Sequence, residues 1–272
     1  MELSIKKNEM KKYENYLASS QKDYLPKFLF LLIAITILAI SYNPAEIYRW
    51  TYLFTDATNM AEYLSGFLKP DFSEMKMYII KMFETIYIAI WGTFLSLLAG
   101  IPLSLMASKN ISKPWIVLPV RRLMDAARAI NEIVFAILFV AAVGLGPFAG
   151  VMAIFVHNTG IISKLFSEAV ESIDMRPIEG IKASGGNFIH QILYGVIPQV
   201  MPLWTSFYLY RFETSVRSAT VLGIIGAGGI GLVFYESFRG FQYSNASAII
   251  ILIVITVSII DHVSAKIRQK LL

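Results

Sequence analysis

The sequence predicts an all-α membrane protein of six transmembrane helices with both termini on the cytoplasmic side. Three observations carry that expectation. Of 272 residues, 56% are hydrophobic and 16% charged, well under the roughly 25% charged residues of soluble domains. The apolar residues gather into six runs near the length of about 20 residues that a spanning helix needs. The lysines and arginines stand at the ends of those runs and are shared unequally between the two sides, the pattern that sets membrane topology.

Residues 1–24 are polar and lysine-rich (Lys6, Lys7, Lys11, Lys12 and Lys22). No small-residue cleavage site follows the first apolar run, so the segment reads as a cytoplasmic tail ahead of an uncleaved helix. Residues 25–272 then form a single transmembrane domain. The expected spans are 25–42, 78–106, 120–143, 147–166, 198–223 and 246–264. The first and sixth are apolar all round and are expected to face lipid. The second is long enough to tilt or to begin at the interface, because Lys81 and Glu84 lie in its first turns. The third and fifth carry unusual polarity.

The loop 43–76 carries Trp50, Tyr52, Phe54, Tyr63, Phe67 and Phe72. Aromatics in such a place suggest an interfacial amphipathic segment. With the N-terminus inside, sixteen of the 24 lysines and arginines fall on the inner side. Arg49, Lys69, Lys76 and Arg239 fall on the outer side. The same choice puts the loop 167–197 in the cytoplasm.

Composition also excludes function classes. Cysteine is absent, and His157, His190 and His262 are too dispersed to make a metal-ligand motif, so no metal site is expected. His157 reads as a satisfied interior residue rather than a ligand. The net charge of +5 is spread over helix ends and forms no stripe for nucleic acid. No H-E-x-x-H and no carboxylate pair beside a base occurs, so no catalytic residue is assigned and the chain is not read as an enzyme. Gly226-Ala-Gly228-Gly229-Ile-Gly231 is formally a G-x-G-x-x-G. A dinucleotide site needs a strand before it and an acidic residue about 20 positions on, whereas this one ends a membrane helix. It reads as a glycine-rich re-entrant or turn segment at the outer face, where glycines let backbones pack closely, for instance across a dimer axis; a flexible loop is the alternative. No G-x-x-x-x-G-K-[ST] occurs, so the chain has no ATP site of its own. An ion-coupled carrier should show inverted repeats, and none is visible.

The loop 167–197 has a legible local structure. Asp174-Met-Arg-Pro177 looks like a helix start, because proline is favoured in the first turn. A short helix is expected through Ala183. Gly185-Gly186 supplies a left-handed stop, and Asn187 can cap the next helix, FIHQILYGVI. Pro198 marks the entry to the fifth span.

The stretch Glu179 to Pro198, EGIKASGGNFIHQILYGVIP, resembles the "EAA" coupling loop of the permease subunits of ATP-binding-cassette (ABC) importers. Glu179, Gly185 and Pro198 fall at that loop's Glu, Gly and Pro positions. Gly180 and Ile181 replace the two alanines, Gly195 replaces an isoleucine and Ile197 a leucine. RFETSVRSATVLGIIGAGGIG and EAVESIDMRPIEGIKASGG are similar to the phosphonate ABC transporter permeases, over about Arg121 to Gly231. The resemblance implies a type I ABC importer permease fold, like that of the methionine permease, in the bacterial plasma (inner) membrane. It implies a homodimer with two copies of an ATPase, which bind ATP and Mg, and an extracytoplasmic substrate-binding protein. The implied cargo is phosphonate or a related oxyanion, phosphite or phosphate; another small anion or an amino acid is the alternative. Glu179, Gly180, Ala183, Ser184, Gly185 and Pro198 would form the ATPase-coupling loop.

Charges inside the spans are the other candidates. Arg128, Asn131 and Glu132 fall in the third span; Arg211, Glu213 and Arg217 fall in the fifth. Such charges are costly in hydrocarbon and face the protein interior. Arg128 with Glu132, and Glu213 with Arg217, are spaced i,i+4 and can pair on one helix face. They either line a path for an anion or tie helices together. Arg211 has no i,i+4 acid and is the best single candidate for the path. Ser206, Thr214, Ser215, Ser218 and Thr220, with Asn158 and Thr159, add polarity for a cavity or for interhelical hydrogen bonds.

Overall fold

A computed structural model describes residues 26–55, 61 and 64–271. It divides into two compact units, Met1–Leu64 and Ser65–Leu272. The tail 1–24 and Tyr63 lie outside the described residues. In the first unit, α1 (Pro26–Ser41) is apolar but only about 24 Å long, against a hydrocarbon core of about 30 Å. A 3-10 turn (Ile47–Thr51) and one helical turn (Tyr52–Thr55) follow. Trp50, Tyr52 and Phe54 stand exposed there, in the segment expected to be interfacial.

The second unit holds the helical bundle. Helices α2 (Met75–Ala107), α5 (Pro147–Glu171) and α9 (Tyr243–Leu271) are long and apolar enough to cross a membrane. Helices α3 (Pro114–Ala129) and α4 (Glu132–Val143) meet at 87°. The run Phe188–Ile225, which contains α7 (Ile197–Leu222), meets α8 (Ile230–Arg239) at 46°. If each bent pair is one span, the unit has five. The short helix α6 (Arg176–Ala183) lies between α5 and α7, and no strand occurs among the described residues. The outward side chains of α9, such as Val254, Ile255 and Ile259, are exposed, as a lipid-facing helix requires.

The bundle is built on the contact of α2 with α5. Gly92, Ser96, Gly100 and Ser104 recur every four residues on α2 and are all buried. That spacing makes a shallow groove along one helix face. A Cβ at Gly92 would lie 2.6 Å from Ile154 Cγ2, and one at Gly100 would lie 2.9 Å from Ile162 Cγ2. The isoleucines of α5 therefore occupy the groove. Ser96 Oγ donates to Gly92 O at 2.6 Å and lies 3.1 Å from Phe155 O on α5. The bond satisfies the hydroxyl without holding the helices apart.

One expected span is corrected. Residues 120–143 are not a single helix: the chain breaks at Ile130 and Asn131, where both residues are extended. The side chain of Asn131 accepts a hydrogen bond from Ile133 N at 2.9 Å and so caps α4. Capping by asparagine stabilises a new helix start. The close approach of α3 to α5 fixes the break on one side. A Cβ at Gly160 would meet Met124 O at 2.7 Å and Arg128 N at 2.8 Å.

Candidate functional site

Helix α6 and its flanks have the local structure expected of the loop. Pro177 lies in its first turn and α6 ends at Ala183. Gly185 takes a φ of 82°, the left-handed region that glycine enters without a Cβ penalty. Asn187 Oδ1 accepts from His190 N at 2.9 Å. The helix after it departs from expectation: Gln191–Val196 is a π-helix before α7 begins. Pro198, in the first turn of α7, has no N–H to donate to that stretch.

The two faces of α6 differ. Glu179, Gly180, Lys182, Ala183 and Ser184 are exposed, and the Glu179 carboxylate makes no hydrogen bond or ion pair among the described residues. Ile178 is buried in a cluster with Phe166, Val170, Ile192, Val196 and Trp204. The rings of Phe166 and Trp204 stack there at 4.5 Å. Gln199 ties the start of α6 to the start of α7. Its Oε1 accepts from Asp174 N at 3.1 Å, and its Nε2 donates to Asp174 O at 3.1 Å and Gly195 O at 2.6 Å. Arg176 clasps Asp174 through Nε at 2.8 Å, and these bonds hold the carboxyl below its usual range. A cavity of about 260 Å³ opens beside the helix, bordered by Asn110, Met175, Glu179, Lys182 and Phe188. Sequence reasoning missed Gln199, which had no motif to mark it.

Packing accounts for two of the departures from the EAA pattern, at Ile181 and Gly195. A Cβ at Gly195 would lie 2.8 Å from Ile178 Cγ1 and 3.3 Å from Ile181 Cδ1. The large residue at 181 and the absent side chain at 195 are thus complementary. At Gly180 nothing lies within 4 Å of an added Cβ, so an alanine fits there.

The charges of the spans depart from the i,i+4 expectation in one case, and Arg128 and Arg217 are exposed rather than turned to the interior. Arg128 does not pair with Glu132, because the break at Asn131 separates them. Arg128 instead bonds Asp125 at 2.8 Å. Glu132 accepts from Ser218 Oγ at 2.5 Å and lies 3.0 Å from His157 Nε2. His157 Nδ1 lies 2.8 Å from Ile130 O, so the histidine is satisfied in the interior as expected. Glu213 does meet Arg217, at 3.1 Å, and also Arg268 at 3.2 Å. Arg217 reaches Asp261 at 2.9 Å. Sequence reasoning missed Asp261 and Arg268 as partners, since their pairings cross 44 and 55 positions of sequence.

Arg211 is buried and makes no salt bridge among the described residues. Its Nη2 donates to Asn158 Oδ1, and its Nε has no partner. Asn158 Nδ2 donates to Ser215 Oγ at 2.7 Å, Thr93 Oγ1 donates to the same oxygen at 3.0 Å, and Ser215 Oγ donates to Arg211 O at 2.7 Å. A polar layer thus joins α2, α5 and α7.

The glycine-rich stretch is a turn between α7 and α8, as expected. Gly226, Gly228 and Gly229 have φ of 89°, 79° and 78°. A Cβ at Gly231 would lie 1.9 Å from Thr220 O, so the glycines pack within the chain. Glu84 Oε1 accepts from Gly229 N at 3.0 Å and Thr85 Oγ1 from Ile230 N at 2.8 Å. They fill the α8 N-terminus, where a nucleotide phosphate would have to sit. Lys81 holds Glu84 at 2.7 Å.

Residues 100–269 match the family described as the binding-protein-dependent transport system inner membrane component. The chain belongs to that family. As a member, it is an inner-membrane permease subunit of an ABC importer, and ATP hydrolysis falls to a separate subunit. A putative cryptic phosphonate transport system permease protein of Escherichia coli K12 is 55% identical over 118 residues, 43% of this chain and 97% of that one. A putative phosphite transport system permease protein of Stutzerimonas stutzeri is 33% identical over 242 residues, 89% and 86% of the two chains. A structure of the MetNI methionine ABC transporter matches with a TM-score of 0.66 at 19% identity, over 74% of this chain and 99% of that chain. The fold is that of type I ABC importer permeases.

Proposed function

We propose that this permease imports phosphonate or a related oxyanion, phosphite or phosphate, and that its partner ATPase docks on α6. The observation that carries the docking is the two-sidedness of α6. Its outer face, Glu179, Gly180 and Ala183, is exposed, small and polar, while Ile178 and the Gln199 clamp join its inner face to α7. A force on α6 passes to α7, which carries Arg211. The kinship with phosphonate and phosphite permeases supports the cargo.

In this reading the chain works as a homodimer with two ATPase copies, which hold ATP and Mg, and a substrate-binding protein at the outer face. α1, α2, the pair α3–α4, α5, the pair α7–α8 and α9 make six passes through the lipid. Both termini and α6 are cytoplasmic. Closure of the ATPase dimer moves α6 and opens the path outward; hydrolysis resets it inward. Arg211 faces the path. Unlike Arg128 and Arg217, it meets no carboxylate among the described residues, and guanidinium suits oxyanion oxygens. Arg217, shared by Glu213 and Asp261, ties α7 to α9.

Glu179→Arg is expected to insert normally, to lose co-purification with the ATPase and to abolish uptake of radiolabelled phosphonate. Substrate-stimulated ATPase at the wild-type level in that variant would overturn the docking role. Arg211→Ala is expected to keep the ATPase bound while phosphonate uptake falls at least tenfold. Unchanged uptake would remove Arg211 from the path.

A further inference from the structure

A second charged feature lies at the same end of the bundle as α6 and has no part in the function proposed above. The loop after α2, the first three turns of α3 and the flank of α5 enclose a cleft of about 490 Å³. Four cations line it, Lys109, Arg121, Arg122 and Lys164, against one carboxylate, Asp125. Three of these five groups are already engaged. Arg121 bonds Glu171 at 2.5 Å, Lys164 bonds Glu168 at 3.2 Å and Asp125 bonds Arg128 at 2.8 Å. The side chains of Lys109 and Arg122 are exposed and make no hydrogen bond or salt bridge among the described residues. The first turn of α3 adds to the positive field, since it contains no acidic residue and its N-cap, Lys113, makes no side-chain capping bond.

The walls of the cleft point to the chemistry of the ligand. Val117 and Leu118 line it beside the cations. On the same helix Trp115 is 72% exposed and Leu118 66% exposed. A cleft lined by cations and apolar side chains together suits a molecule with a phosphate and a hydrocarbon tail. Basic pockets between spans on the cytoplasmic side hold the headgroups of anionic lipids in this way, and exposed tryptophan favours the interface.

We propose that this cleft binds the phosphate of an anionic phospholipid of the inner leaflet, with Arg122 and Lys109 as its cations and Trp115 and Leu118 beside the acyl chains. A free phosphate shares the same headgroup chemistry, so the test separates the two sources. The permease–ATPase complex is purified in detergent with added phosphatidylglycerol, and bound lipid is counted by native mass spectrometry.

The wild type is expected to retain phosphatidylglycerol in preference to phosphatidylcholine. Lys109→Ala with Arg122→Ala is expected to lower retention about tenfold. Both residues are exposed, so folding is not at stake. Lys266→Ala with Lys270→Ala, which removes two charges from the end of α9, is expected to leave retention unchanged. Inorganic phosphate at millimolar concentration is expected not to compete. Equal retention in both double variants would overturn the site, and displacement of the lipid by inorganic phosphate would overturn the lipid as its occupant.

Discussion

Ser215 shows how much one small residue carries in this bundle. Its hydroxyl accepts from Thr93 on α2 and Asn158 on α5 and donates to Arg211 O on α7. Ser215→Ala leaves two buried donors without an acceptor, each costing about 1–3 kcal/mol. Ser215→Ala is therefore expected to lower the unfolding temperature of the detergent-solubilised protein clearly. Thr214→Ala is expected to change it little, because Thr214 bonds only Tyr210 O on its own helix. Equal effects would show that the polar layer does not hold the helices. The sequence marked Ser215 and Asn158 as polar residues in spans. It gave no means of seeing that both serve Arg211, because the three contacts join residues 53 to 122 positions apart.

At the scale of elements, α6 and the π-helical stretch behave as one packed unit. The exchange of size between Ile181 and Gly195 predicts a coupled pair. Gly195→Ala places a methyl against Ile178 and Ile181, and overpacking of this kind costs about 1–3 kcal/mol. Adding Ile181→Ala is expected to recover part of that loss, so the two substitutions are non-additive in a double-mutant cycle. Gly180→Ala, with open space around it, is expected to leave stability and uptake intact. Additive effects at 181 and 195 would refute the coupling. The start, stop and cap of α6 were legible because proline, glycine and asparagine act locally. The π-helix was not, since its pattern of apolar residues is that of any helix. The break at Ile130–Asn131 was also hidden. Arg128 and Glu132 have ideal i,i+4 spacing, yet a helix that ends between them turns the pair away from each other.

At the scale of the molecule, the charge bias predicts that α6 and both termini are cytoplasmic. The absence of cysteine makes it testable without background. A single cysteine at Glu179 is expected to react with a membrane-impermeant maleimide only when the cytoplasmic face is open. A cysteine at Gln242, between α8 and α9, is expected to react in intact cells once the outer membrane is permeabilised. The reverse pattern would invert the topology.

What the sequence determined by itself was the class of molecule and its local grammar: apolar runs, the bias of positive charge, the turn at Gly185 and the glycine-rich turn after α7. These rest on solvation and backbone sterics, which act over a few residues. Tertiary structure alone decided the partners of the buried charges, the groove of Gly92, Ser96, Gly100 and Ser104 that seats α5, and the cationic cleft beside α3. Each depends on which helix faces come together. In a bilayer, apolar residues cover the outward face of a helix as well as its packed face. Hydrophobic periodicity therefore does not tell the two apart, and close packing of small and polar residues makes the choice.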